Sequence, residues 1–193
     1  MPRPKEYQRE TVLDRAIDVF WRNGYEATSI ADLVVAMGIH RGSLYAGFGN
    51  KQGVFAAALE RYIETSPWFR VLTDDSDAPF PDLMAALFGA FVEIGAHDML
   101  RRGCLLTNTA VELSPHDHDV SVIVAKSVKA LEDALAVRIR KAQARGEVDV
   151  GKDNRALAQF VVASIHGLRV ASKITTERSV LQNIADQVLA AIH

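Results

Sequence analysis

The chain predicts an all-α fold of about nine helices, in which a small three-helix head at the N-terminus precedes a larger helical body. Three observations carry this expectation. Apolar residues recur every three or four positions nearly throughout, which is the spacing of one helix face. Strand-like alternation is missing. Gly, Asn, Asp, Ser, Thr and Pro stand where helices with that spacing would have to start and stop.

Leu13, Ala16, Ile17 and Phe20 form the stripe of the first helix, and Gly24 ends it as a C-terminal cap. Thr28–Ser29 opens the second. Ser29 and Asp32 have the spacing of a capping box, with Asp in place of the usual Glu. Ile30, Leu33, Val34 and Met37 are its apolar face, and Gly38 closes it. A short third helix runs roughly from Arg41 to Phe48, and Asn50 caps a fourth that reaches Arg61 or beyond. "SPWFRVLTDDSDAPFP" (66–81) reads as a linker, with an acidic, turn-rich middle and two prolines at its end.

Helix five follows from about Pro81 to Gly95, and helix six from Cys104 to Leu113. The seventh is expected to begin at "SPHDHD", with Ser114 as N-cap, Pro115 in the first position, and Asp117 and Asp119 beside the positive helix end. Val120, Val124, Val128, Leu131, Leu135 and Ile139 carry it towards Gly146. Asp153 begins helix eight, with Leu157, Phe160, Val161, Ile165 and Leu168 on one face. Thr176 begins helix nine, with Leu181, Ile184, Val188 and Ile192 in phase. The resulting organisation is a head over 1–50, a connecting helix over 51–66 and a body over 67–193.

Composition narrows the class. Of 193 residues, 49% are apolar and 24% charged, the balance of a globular protein. The longest apolar run, Leu83–Val92, is about half of the ~20 residues a membrane span needs, and "MPRPKEYQRE" has no apolar signal core. A single cysteine, Cys104, excludes an intrachain disulfide. The expectation is a cytoplasmic protein with no membrane partner. A net charge of −2 argues against a wholly basic surface, but the charges are unevenly placed. From Leu33 to Gln52 the chain holds Arg41, Lys51 and His40 and no carboxylate, and Arg3 and Lys5 add a basic arm. Local positive charge of this kind can meet phosphates.

That stretch contains "MGIHRGSLYAGFGNK" (Met37–Lys51), with four glycines in fifteen residues. A helix so short and glycine-rich has little stability of its own. Helix two, the turn at Gly38–Ile39 and helix three have the proportions of a helix-turn-helix, whose second helix enters the major groove of DNA. Ile39, Leu44 and Phe48 are expected to face inward, and His40, Arg41, Ser43 and Tyr45 to face the groove. Gly42 would let the backbone approach closely. Thr28 and Lys51, at two helix N-termini, are placed to grip phosphates.

Residues 16–62, "AIDVFWRNGYEATSIADLVVAMGIHRGSLYAGFGNKQGVFAAALERY", resemble the N-terminal DNA-binding domain of TetR/AcrR-type repressors. The matching features are Phe20, Gly24–Tyr25, Thr28, Ile30, Ile39, the "RGSLY" element, Phe48 and Lys51. The resemblance implies a homodimer that reads a palindromic double-stranded operator, and a body that binds a small-molecule effector, with no cofactor. It assigns Thr28 and Lys51 to phosphate, and Arg41, Gly42, Ser43 and Tyr45 to bases or backbone. His40 departs from the small hydroxyl residue many relatives carry, and Ala46–Gly47 from a bulkier pair, which shifts base readout towards Arg41 and Tyr45.

In the body, "RRGCLLTNTAVEL" (Arg101–Leu113) resembles an element of one subgroup of that family, in which helix six follows a Gly-Cys pair. Cys104, Asn108 and Glu112 fall on one helix face and would point into an effector pocket. For Cys104 itself a small buried hydrophobe, a pocket wall and a thiol or metal sensor are all open. Phe88 and Phe91 are the aromatic candidates for that pocket, with Trp68 and Phe69, and His166 and His97 are within its reach. "HDHD" (His116–Asp119) invites a metal reading, but neighbouring helix residues diverge by about 100°, and no metal site is expected there. Ala158, Ala163, Gly167 and Ala171 in helix eight allow close helix contact, and the apolar stripe of helix nine asks for a partner, so helices eight and nine are the expected dimer interface.

A helical enzyme is the competing class. The chain has no GxSxG, HExxH, CxxC or glycine-rich phosphate loop, so no catalytic residue is expected. An architectural DNA binder without an effector is a third class, and it would gain no thermal stability from a small ligand.

Overall fold

The computed structural model describes residues 6–68 and 78–192. Arg3, Lys5, Phe69 and the middle of the expected linker lie outside the described residues. Among the described residues there are nine helices and no strand: α1 (Glu6–Asn23), α2 (Ile30–Met37), α3 (Arg41–Phe48), α4 (Lys51–Glu64), α5 (Phe80–His97), α6 (Leu105–Glu112), α7 (His118–Ala144), α8 (Asn154–Ile174) and α9 (Arg178–Ile192). No helix among them is long and apolar enough to cross a membrane.

The helix boundaries follow from local chemistry. Gly24 and Gly38 both adopt positive φ, +78° and +66°, where a side chain would be strained, and each stops its helix. The Ser29 hydroxyl accepts the Asp32 amide at 3.1 Å while the Ser29 amide donates to the Asp32 carboxylate at 2.9 Å, so the capping box is complete. Those bonds from Ser29, its hydroxyl first and its amide second, hold the Asp32 carboxyl below the usual carboxylate range. Asn50 caps α4 by accepting the Gly53 amide at 2.8 Å.

The start of α7 differs from the sequence expectation. The chain leaves α6 through tight turns in which His116 and Asp117 both donate their amides to the Leu113 carbonyl. Those turns occupy Ser114 and Pro115, and α7 begins three residues later, at His118. Asp117 takes the capping role, accepting the Val120 amide at 3.0 Å. The Ser114 hydroxyl is buried without a hydrogen-bond partner.

The chain forms two compact units. One holds Met1–Ser66 together with Asn108–Val124, and the other holds Pro67–Thr107 together with Ala125–His193. Residues 108–124 group with the first unit, whereas the sequence division puts everything beyond residue 66 in the body. In the head unit α1 packs on α2 and α4 around Ala16, Phe20, Leu33, Met37, Leu44, Phe55 and Leu59, all buried. In the body unit α5 packs on α8 and α9. Gly95 lets them meet closely, since a Cβ there would lie 2.9 Å from Ser172 Cβ and 3.0 Å from a Leu181 methyl. The Arg169 guanidinium is buried in this unit and donates to the carbonyls of Gly103 and Phe91.

Candidate nucleic-acid interface

α3 is held from one side only. Leu44 is fully buried and Phe48 is half-buried, while Arg41, Gly42, Ser43, Tyr45, Ala46 and Gly47 are exposed. A Cβ added to Gly42 or Gly47 would meet nothing within 4 Å, so the helix presents bare backbone at both positions. His40 is the N-cap residue, but its side chain makes no capping bond and is exposed. Arg41 and Tyr45, one turn apart, lie against each other: Arg41 Nη2 donates to the Tyr45 hydroxyl at 3.4 Å, and the guanidinium is 5.8 Å from the ring centroid. This pairing pre-orders the two largest side chains on the exposed face. The helix has no acidic residue in its first turn.

Gly53 explains how so short a helix keeps its place. A Cβ at Gly53 would fall 1.9 Å from the Phe48 carbonyl oxygen, so only glycine lets the start of α4 close against the end of α3. Gly53 has no role in the sequence expectation. Its signal was a glycine in the first turn of a helix, a position where it costs stability and therefore serves something else.

Thr28 is a correction. Its side chain is buried, its hydroxyl donates to the Gly24 carbonyl at 2.6 Å and its amide donates to the Tyr25 carbonyl at 3.2 Å. Both donors are spent inside the α1–α2 turn, on carbonyls that the end of α1 leaves without helical partners. Thr28 builds the turn instead of reaching outward. Lys51, at the start of α4, donates from Nζ to the same Tyr25 carbonyl at 3.0 Å and lies 4.1 Å from the Tyr25 ring centroid. Burial is the main influence that raises the Tyr25 phenol pKa, followed by Asp117 and Glu26.

The residues expected to line a pocket divide between the two units. Phe88, Phe91 and Cys104 are buried in the body unit, where Phe91 meets Trp68 edge-on at 5.6 Å. His166 belongs there too, its Nδ1 hydrogen-bonded to the Thr107 hydroxyl at 2.8 Å, and burial lowers its pKa. Asn108 and Glu112 belong to the head unit. Glu112 is a second correction. Its carboxylate accepts the amides of Tyr25 and Glu26, at 3.4 and 3.1 Å, and lies against Gly24. A turn with positive φ aims consecutive amides outward, and they draw a carboxylate that helical periodicity alone had pointed elsewhere. His97 is exposed and bonds to the Glu93 carbonyl of its own helix. Among the described residues no group of three His, Cys, Asp or Glu side chains converges as a metal site would.

The model of the bacterial regulatory proteins of the tetR family matches residues 12–58, and that of the tetracyclin repressor-like C-terminal domain matches residues 82–188. The chain belongs to the TetR family. This TetR-family protein is 32% identical over 188 residues to the HTH-type transcriptional repressor ComR of Escherichia coli, covering 97% of the chain and 90% of ComR. It is 31% identical to the HTH-type transcriptional regulator YezE of Bacillus subtilis over the full length of both. Among solved structures, the TetR family regulator CifR, a cysteine mutant bound to a 26-base-pair operator DNA, superposes with a TM-score of 0.85 at 31% identity, covering 100% of both chains. The protein is a DNA-binding transcriptional regulator and not an enzyme, and α2–α3 is its helix-turn-helix.

Proposed function

We propose that the protein is a repressor that binds a palindromic operator as a homodimer and is released by a small-molecule effector. The observation that carries the reading is α3, eight residues long with Leu44 as its buried anchor and an outward face of Arg41, Gly42, Ser43, Tyr45, Ala46 and Gly47 without an acidic residue. A rod with so little side-chain bulk fits a major groove about 12 Å wide. Arg41 and Tyr45 read base edges, Gly42 and Ser43 let the backbone come close, His40 lies at the groove entrance, and Lys51 meets phosphate. ComR, a repressor by name, supports the direction of action, and CifR, a regulator solved on its operator DNA, supports the mode of binding.

Dimerisation through α8 and α9 is supported on the α8 side only; the apolar stripe of α9, expected to need a partner, is covered within the chain, with Leu181, Val188 and Ile192 buried. Phe160, Ala163, Gly167, Val170 and Ile174 recur at three and four residues and are all exposed, Ile174 at 74%. A single chain would leave that apolar stripe in water. A second copy covers it and places two heads on half-sites about one helical turn or a little more apart. The effector acts in the body unit, against Phe88, Phe91, Cys104 and His166, and weakens binding by favouring head separations that do not fit the operator.

Selection of bound fragments from the source genome with purified protein tests the reading. The expected result is a small set of fragments sharing an inverted repeat, bound by two chains in sedimentation. A monomer at all concentrations, or a failure to enrich any fragment in dilute salt, overturns it.

A further inference from the structure

One peptide unit in the head is gripped from both sides. The Tyr25 carbonyl accepts Lys51 Nζ at 3.0 Å and the Thr28 amide at 3.2 Å. The amide hydrogen of the same peptide, that of Glu26, points to Glu112 Oε1 at 3.1 Å, and the preceding amide, of Tyr25, points to Glu112 Oε2 at 3.4 Å. A carboxylate on the N–H side and an ammonium on the C=O side polarise the peptide in the same sense, so each strengthens the other's bond. Gly24 completes the fit. It has φ +78°, and a Cβ there would stand 2.9 Å from both Glu112 oxygens.

We infer that Glu112 is a positioning residue for DNA binding: it fixes the α1–α2 turn and, through the Tyr25–Glu26 peptide, the Lys51 ammonium that meets phosphate. The inference rests on the phosphate role proposed above for Lys51. Glu112 touches no DNA in this arrangement and acts through the turn. It is the last residue of α6, a helix whose first residues, Leu105–Thr107, belong to the body unit while the remainder belongs to the head unit. A single side chain at the end of that helix therefore holds two consecutive amides of the α1–α2 turn.

The test uses the full-length protein with the operator fragment recovered by genomic selection and a random duplex of the same length. In Glu112→Ala, amide hydrogen exchange at Tyr25 and Glu26 should rise about tenfold or more while exchange in α8 is unchanged, as expected when a charge-assisted bond is lost from one local turn. Affinity for operator and for random duplex should fall by a similar factor of about three to ten, because the contact affected is to phosphate. Glu112→Gln, which keeps one acceptor oxygen, should restore part of both. Gly24→Ala, which displaces the carboxylate from the other side, should reproduce the loss. A thermal unfolding curve for each variant separates these effects from global destabilisation. Unchanged exchange at Tyr25 and Glu26 overturns the inference. So does faster exchange with undiminished affinity when Lys51→Ala does weaken binding. If Lys51→Ala is itself without effect, the phosphate role of Lys51 fails first and takes the inference with it, a result the exchange data alone would not produce.

Discussion

α3 and α6 are both eight residues long and end in opposite environments. α3, "RGSLYAGF", buries Leu44 and leaves most of its surface bare. In α6, "LLTNTAVE", Leu105, Leu106, Thr107 and Thr109 are buried and Val111 is the exposed residue. Neither is long enough to be stable in isolation, so each exists because of what surrounds it. α3 is pinned at its ends, by the Gly38 turn before it and by the Gly53 approach after it, so that its face stays free for a partner. α6 is enclosed on most sides, and its end is spent on the α1–α2 turn through Glu112. The difference shows that a short helix can be kept either to be touched or to hold something else in place.

Removing the anchor of α3 should have the largest effect. Leu44→Ala deletes its fully buried side chain, and such cuts cost about 2–5 kcal/mol. Urea unfolding should show that loss, with operator binding gone at temperatures where the helical signal of α8 persists. An unchanged midpoint would mean that α3 is held by its ends alone. Next is Arg41→Ala, which should remove ~1–3 kcal/mol of discrimination between operator and random duplex if it pairs with a guanine edge. Equal losses on both duplexes would reduce Arg41 to a phosphate contact. Lys51→Ala should weaken both duplexes alike and reduce the slope of log affinity against log salt by about one.

At the buried end of the comparison, Cys104→Ser puts a hydroxyl where an apolar thiol now packs and should cost about 1–3 kcal/mol. If Cys104 only fills space, release by the effector should survive the change. A variant that binds operator but no longer responds would make the thiol a sensor. The smallest expected effect is on pH dependence. Burial lowers the pKa of His166, so on acidification the unfolded chain takes up its proton first. Stability should therefore fall as pH drops through the ordinary histidine range near 6.5, and level off once the folded His166 is also protonated. Unfolding midpoints of the wild type and His166→Gln between about pH 8 and 5 should diverge in that sense.

Much of the fold was legible because helix-terminal chemistry is local. Gly24, Gly38, Asn50 and the Ser29–Asp32 pair act within three or four residues of themselves, and each does what its position suggests. The start of α7 was less legible, because Ser114 and Asp117 are both competent caps. The choice between them depended on the turns that leave α6. In the candidate site, the exposed face of α3 followed from its composition. The tie from Lys51 to Tyr25 and the placement of Glu112 did not, since each joins residues that the sequence separates; the inward bonds of Thr28 are local, but a helix N-terminus leaves a threonine hydroxyl free to turn either way.

The sequence by itself determined the helical class, the helix-turn-helix and the family, because periodicity, caps and the "RGSLY" neighbourhood are read within a few tens of residues. Tertiary structure alone decided that Gly53 has to be glycine and that Glu112 serves the head. A carboxylate has no preferred direction until amides 86 residues away along the chain need an acceptor, and only the folded chain brings them to it.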